Sequence, residues 1–482
     1  MTKLQVASLI GLFIYFGVLL LAVTKEKKNE NILDYFFAGR TLPFWALSIT
    51  FIASWWGAGS AISTADLAYY DGLGAFWYYG VPVLLSTLLM ILGAKAIRRV
   101  DYLTQGKMMH ARYSKKVSKL LSVMILIFMT FSAASQMVGV GNFFGTYLGL
   151  DYETAVLIGT GIVLIYSMFG GFRGVVLTDI IQFFLLVISA ITVFIVAMKN
   201  SGGFTEISSM ATYLGKTDYT SLTAGASKYI MYVITFGGSW MIQANVWQRI
   251  SAAKTDKDAR KMTIMSFILY IPLYLIVVFT GMCGIVLFDK MPEGGLITAI
   301  VINYMSPIAG AFVFVGISAA IMSSMDSLIN TAAMTLSIDL NSNETDSKKK
   351  LNFSRISTLI VTSIALIISL RIRSILDISW IASDVITTGV LIPLVAGFIW
   401  RRGNSKGAMA SMIVGLCYSI YNFLIWSGIN LPAFWTSQSA LQVIIGISLS
   451  LLVYIIVSLC TEPEYDKADE FINKAGLFKN NK

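Results

Sequence analysis

Long, uninterrupted apolar runs dominate this chain, and they narrow its possible folds more than any other feature. Thirteen such segments are read at about 4–24, 43–70, 74–97, 120–146, 153–169, 174–198, 229–247, 263–287, 307–336, 356–372, 378–400, 407–428 and 438–460. A helix needs roughly 20 apolar residues to cross a bilayer. The runs are continuous rather than alternating, which speaks against a transmembrane β-barrel. Of the 482 residues, 56% are hydrophobic and only 13% charged. In a soluble fold, that composition would leave too much apolar surface in water. The expected class is an all-α polytopic membrane protein with about 13 transmembrane helices.

The net charge of +10 would hint at nucleic acid in a soluble protein. Here the basic residues gather between spans, as they do in loops facing the cytoplasm. If the first run is a retained helix with its N-terminus outside, 29 Lys/Arg fall on the inner side and 7 on the outer. Lys25, Lys27 and Lys28 follow that run, and no small-residue cleavage site is evident, so a signal peptide is disfavoured. The expected setting is the plasma (inner) membrane, with the C-terminus cytoplasmic. The longest outer loop, about 199–226, reads as irregular, and the polar tail from Thr461 reads as short and helical. His110 is the single histidine, and Cys283, Cys417 and Cys460 show no metal spacing. No Walker motif or dinucleotide fingerprint appears, so nothing supports ATP-driven transport.

Two spans carry residues that weaken a helix: Ala53-Ser-Trp-Trp-Gly-Ala-Gly-Ser60 and Thr235-Phe-Gly-Gly-Ser-Trp-Met-Ile-Gln243. Gly57/Gly59 and Gly237/Gly238 are the expected unwinding points, with close helix packing as the alternative. Both breaks open five-helix blocks, 43–198 and 226–400, and broken helices in matching positions point to a secondary transporter's site. The remaining parts are 1–42 (first helix and linker), 199–225 (outer loop), 401–460 (two further helices) and 461–482 (cytoplasmic tail).

Asp66, Asp179, Asp326 and Asp384 lie within apolar spans, where a carboxylate needs a cation, a proton or a partner. Asp66 and Asp384 are read as lying near helix ends or facing water. Ala320, Ser323, Ser324 and Ser327 share one helix face, with Asp326 at its edge. Hydroxyls and a carboxylate are hard ligands suited to a small cation. Should Asp179 and Asp326 be neighbours, a cation sits between them or one holds a proton. Na⁺ is the first expectation for the coupling ion and H⁺ the second.

Four stretches carry a resemblance: Asp34-Tyr-Phe-Phe-Ala-Gly-Arg40, Gly170-Gly-Phe-Arg-Gly-Val-Val-Leu-Thr-Asp-Ile-Ile-Gln182, Ala319-Ala-Ile-Met-Ser-Ser-Met-Asp-Ser327 and Gly397-Phe-Ile-Trp-Arg-Arg-Gly403 followed by Lys406-Gly-Ala. In this order and spacing the chain resembles the sodium:solute symporter family from about 34 to 410. The resemblance implies the LeuT-like 5+5 inverted repeat with two broken helices. It implies a Na⁺ site from the carbonyls of Ala53, Trp56 and Ala320 and the hydroxyls of Ser323 and Ser324. A second site, for Na⁺ or a proton, would map to Asp179, Ser323, Asp326 and Ser327; Asp326 stands where some two-sodium members have serine. By position the solute pocket would involve Ser60, Tyr79, Pro82, Phe236, Ser239, Trp240 and Trp380. Tyr79, Phe236 and Trp380 replace the polar groups of sugar-binding members, which argues against a sugar. Trp56, Trp240 and Trp380 would form an aromatic wall or else pack helices; Gln136, Gln243 and Asn245 are further polar candidates.

The function expected is sodium-coupled import of a small organic solute, such as an amino acid or small carboxylate, by alternating access. A proton-coupled symporter of the same fold is the alternative, followed by a solute-sensing membrane protein. An ion channel and an intramembrane hydrolase are disfavoured, because no repeated pore loop and no nucleophile–base pair emerge. The expected partners are the solute, Na⁺ and the lipid bilayer, with no nucleic acid and no obligatory protein.

Overall fold

A computed structural model describes residues 1–24, 32–341 and 347–477, so Lys25, Lys27 and Lys28 lie outside the described residues. Among those described, the chain is helical and has no strand. The helices that matter here are α1 (Lys3–Thr24), α2 (Phe44–Ala53), α3 (Thr64–Asp71), α4 (Phe76–Arg99), α5 (Lys115–Leu148), α6 (Tyr152–Asn200), α7 (Ala226–Met241) and α8 (Ala244–Ala252). They continue with α9 (Asp256–Met282), α10 (Pro307–Met334), α11 (Ser347–Arg371), α12 (Ile375–Gly389), α13 (Leu391–Ile399), α14 (Ser405–Trp426) and α15 (Ala440–Cys460).

Local chemistry sets many of their starts. Ser114, Asp151, Thr255, Ser306, Ser374, Asn404 and Ser439 each accept a hydrogen bond from a first-turn amide, starting α5, α6, α9, α10, α12, α14 and α15. Each side chain satisfies a donor that the helix itself leaves open. Pro307, at the first turn of α10, loses no helical hydrogen bond there. Gly171 kinks α6 with a φ of 54°, a backbone region that suits glycine.

Among the described residues, nine helices are long and apolar enough to cross a membrane, or ten if α12 and α13, bent by 41°, form one span. The expected thirteen is therefore not reached on length and composition. The shortfall lies where helices are cut: 43–70 is split after Ala53, 153–169 is short and ends near the Gly171 kink, and 229–247 is split after Met241. The segment about 199–226 also differs from its irregular reading. It holds a helix, Phe204–Tyr213, anchored by buried Ile207 and Ala211 and by Phe204 against Phe279. The tail does carry a short helix, Tyr465–Ala475, which docks through Phe471 on Phe398 and Asp469 on Arg401.

α10 forms the centre. It packs on α6, α5 and α1, while α9 lies on α4, and α12 bridges α5, α14 and α15. In α10, 83% of the most apolar window is buried, against 28% in α1. Phe13, Ile14 and Leu21 of α1 are exposed, as side chains facing lipid would be. Buried in α10 are Ser318, Ser323, Ser324, Asp326, Ser327, Asn330 and Thr331. A polar stripe in the most enclosed helix needs partners from its neighbours, and those partners define the site.

Candidate functional site

The first break frees backbone groups deep in the bundle. α2 ends at Ala53, and regular structure resumes with a π-helical turn, Gly59–Ser63, leading into α3. The Ala53 carbonyl accepts hydrogen bonds from Ser323 Oγ at 3.1 Å and Ser324 Oγ at 3.0 Å. Ser323 Oγ also reaches the Ala320 carbonyl at 2.9 Å. The Ala58 amide is taken up by Gln136 Oε1 at 3.0 Å. Protein groups thus satisfy the unwound backbone, as a membrane interior requires. Four of the five expected Na⁺ ligands converge on one point. Trp56 is buried beside it with its ring on Tyr274.

The second break is not at the expected glycines. Gly237 and Gly238 stay helical within α7, and Cβ atoms there would lie 3.3 Å from Leu85 and from Thr387. They are close-packing points. The chain unwinds instead at Ile242 and Gln243, between α7 and α8. The freed carbonyls of Met241 and Ile242 are captured by Trp247 Nε1 at 2.8 Å and Gln105 Nε2 at 2.7 Å. Gln243 Oε1 accepts from Trp55 Nε1, so the two breaks touch.

Between them lies a cavity of about 50 Å³. Ser60, Tyr79 and Trp240 line it as expected. Pro82, Phe236, Ser239 and Trp380 do not. Phe236 stacks on Trp240 from behind, Ser239 donates to Ser383 Oγ at 3.2 Å, and Trp380 packs on Tyr232 and Phe236. The aromatic wall of Trp56, Trp240 and Trp380 is replaced by Trp55, Tyr79 and Trp240. Unwound backbone after Ala53 sends the neighbouring Trp55 and Trp56 to different sides. Ser54, Gln136, Gln243, Ser324, Ser379 and Ser383 supply the polar lining, and no lining residue is charged.

Gly57 and Gly59 sit where the lining approaches the backbone. An added Cβ would fall 2.1 Å from Gln136 Oε1 or 2.3 Å from Tyr79 Oη. Overpacking of this kind costs about 1–3 kcal/mol. Gly59→Ala is expected to raise the solute KM by roughly tenfold. Uptake at saturating Na⁺, normalised to the amount of protein in the membrane, checks it; an unchanged KM refutes the contact.

The expected second ion position is arranged differently. Arg249, near the C-terminal end of α8, is fully buried. Its Nη2 lies 2.7 Å from Ser327 Oγ and 3.3 Å from Asp179 Oδ2. Its Nε reaches the Thr50 carbonyl at 3.1 Å, and its Nη1 reaches the Asn245 carbonyl at 2.8 Å. Thr50 Oγ1 donates to Asp179 as well. Asp326 faces Ser167, at 2.7 Å, with its second oxygen unpartnered. Asp179, Ser323, Asp326 and Ser327 therefore do not converge on one vacant point. The cation that the Asp179 carboxylate requires is supplied by the chain itself. Arg249 is one of the 29 Lys/Arg that the charge count places on the inner side; its place in a short polar helix flanked by Asn245 and Gln248 is the signal that singles it out. Asp66 lies near a helix end as expected, in the first turn of α3, and accepts from the Leu296 amide at 2.9 Å, whereas Asp384 is buried within α12 rather than facing water.

A family profile described as "Sodium:solute symporter family" matches residues 35–415. The chain belongs to the sodium:solute symporter family. Members of this family are transporters, and Na⁺ is the coupling ion. Among relatives, the osmoregulated proline transporter OpuE of Bacillus subtilis is 28% identical over 95% of this chain and 96% of its own. The sodium/pantothenate symporter of Haemophilus influenzae is 26% identical over 85% of this chain and 88% of its own. The structure of a Na⁺-coupled sialic acid symporter, substrate-bound and outward-open, superposes with a TM-score of 0.80 at 18% identity, covering 95% of this chain and 98% of that one. The fold is thus the LeuT-like one of sodium symporters.

Proposed function

We propose that this protein imports a small zwitterionic solute of the amino-acid class, driven by Na⁺ through alternating access. The observation that carries this reading is the shared wall between ion site and cavity. Ser324 donates to the Ala53 carbonyl at the ion point and also lines the solute cavity. An ion bound there stabilises the same arrangement that the solute needs, so each ligand raises the other's affinity. A lining of uncharged polar and aromatic groups favours a solute whose charges balance each other. Of the relatives' named solutes, proline is such a zwitterion, whereas pantothenate is an anion with no balancing cation.

In this reading Ala53, Trp56, Ala320, Ser323 and Ser324 hold Na⁺, and Ser60, Tyr79 and Trp240 contact the solute. The repeats are 43–198 and 226–400, joined by the outer loop 199–225; 1–42 and 401–460 flank them. The N-terminus lies outside, and the tail 461–482 is cytoplasmic in the plasma membrane. Each positive charge moved inward through 100 mV contributes about 2.3 kcal/mol, or roughly 50-fold accumulation. The unpartnered oxygen of Asp326 supports a proton as a further coupling ion. Proteoliposomes supplied with labelled proline test the reading, with labelled pantothenate as the anionic comparison. An inward Na⁺ gradient is expected to drive concentrative uptake that K⁺ does not replace. Equal uptake in sodium-free buffer under a pH gradient would refute it.

A further inference from the structure

Two glutamines line the solute cavity, Gln136 on α5 and Gln243 at the second break. Each is held by its amide oxygen. Gln136 Oε1 accepts from the Ala58 amide at 3.0 Å, and Gln243 Oε1 accepts from the Trp55 indole. A backbone N–H and an indole N–H can only donate. In both cases, therefore, the bonded atom is the oxygen, and the NH₂ group is the end left over. Gly57 makes room for the first of these contacts, since a Cβ there would fall 2.1 Å from Gln136 Oε1.

Both NH₂ groups have donor capacity to spare. Among the described residues Gln243 Nε2 has no hydrogen-bond partner, and the cavity is the space it faces. Gln136 Nε2 directs one hydrogen to Ser135 Oγ, at a long 3.3 Å, and keeps the second. α8 begins one residue past Gln243, so the positive end of its dipole lies beside the same amide. The lining contains no Lys or Arg. Neutral donors collected at one place suit a carboxylate, which only accepts and makes stronger hydrogen bonds than a neutral group. The aromatic lining, with Trp240 5.1 Å from Tyr79 and 6.0 Å from Trp55 between ring centroids, takes the apolar or cationic remainder.

We propose that Gln136 and Gln243 bind the carboxylate of the solute, each through Nε2, and so select carboxylates over their amide and alcohol analogues. The inference rests on the reading of this cavity as the solute site. Both amides are anchored on the first break, through Ala58 and Trp55. Movement of residues 55–58 therefore carries both donors with it and loosens the carboxylate.

Initial rates of labelled proline uptake into proteoliposomes at saturating Na⁺ test this, with prolinamide as the competitor that lacks the carboxylate. Prolinamide is expected to compete about 30-fold more weakly than proline in the wild type, an arm that needs no variant. Gln243→Glu keeps an acceptor for the Trp55 indole and puts an oxygen where the donor stood. It is expected to raise the proline KM about 30-fold, to keep the maximal rate within about threefold, and to bring prolinamide level with proline. Gln136→Glu makes the same exchange at the other amide and is expected to act in the same direction. The proposal is overturned if the wild type accepts prolinamide as well as proline, or if the variants weaken both compounds alike, which is what a packing defect would do. A wild type that takes up pantothenate but not proline refutes the zwitterion reading alone; pantothenate against its alcohol, pantothenol, then gives the same comparison. Uptake of neither solute overturns both.

Discussion

With Ser323 and Ser324 both replaced by alanine, the Na⁺ concentration for half-maximal uptake is expected to rise roughly a hundredfold, as each lost ligand to a cation weakens binding about tenfold. Both hydroxyls sit on the Ala53 carbonyl, within 3.1 Å, at the point where α2 stops. Their removal takes away two oxygens and leaves a buried carbonyl without its partners. Initial rates against Na⁺ at saturating solute read the effect directly. The single variants should fall between wild type and the pair. An unchanged Na⁺ dependence in the double variant would move the ion away from α10.

Arg249→Gln is expected to produce the largest loss of stability. Removing one partner of a buried ion pair typically costs about 3–5 kcal/mol, because the remaining charge is stranded. Here the stranded group is Asp179, with 0% side-chain exposure. Four carbonyl or hydroxyl acceptors, two on Thr50 and one each on Asn245 and Ser327, lose a donor as well. Asp179→Asn added to Arg249→Gln is expected to recover much of the loss, since two neutral side chains can share the space without a bare charge. Thermal unfolding of the four detergent-purified proteins forms the cycle. Strictly additive shifts would show that the pair is not coupled.

The serine face of α10 was legible because helical spacing alone places Ser323, Ser324 and Ser327 together, and the first break because Gly57 lies within it and Gly59 at its end. The second break was displaced by five residues. Gly237 and Gly238 are good unwinding residues in isolation, but a glycine that admits a neighbouring helix can stay helical. The unwinding at Ile242 depends on Gln105 and Trp247 catching the freed carbonyls, and the Gln105 partner comes from far along the chain. Trp55 and Trp56 could not be told apart because their directions are set by unwound backbone, which has no periodicity. Arg249 was hidden by arithmetic: a count of basic residues treats every arginine at a span end alike, whether it faces water or a carboxylate.

The Arg249 cluster also constrains how the chain can be built. Its partners come from segments synthesised at very different times: Thr50 precedes it by 199 residues and Asp179 by 70, while Ser327 follows by 78. When α8 enters the bilayer, the carboxylate that balances its charge is therefore already made, and the guanidinium need never wait alone in lipid. The hydroxyl of Ser327 arrives later and closes the set. Along the chain the carboxylate is therefore made first, the guanidinium next and the Ser327 hydroxyl last, so an Asp179 already in place would let the arginine enter with its charge balanced.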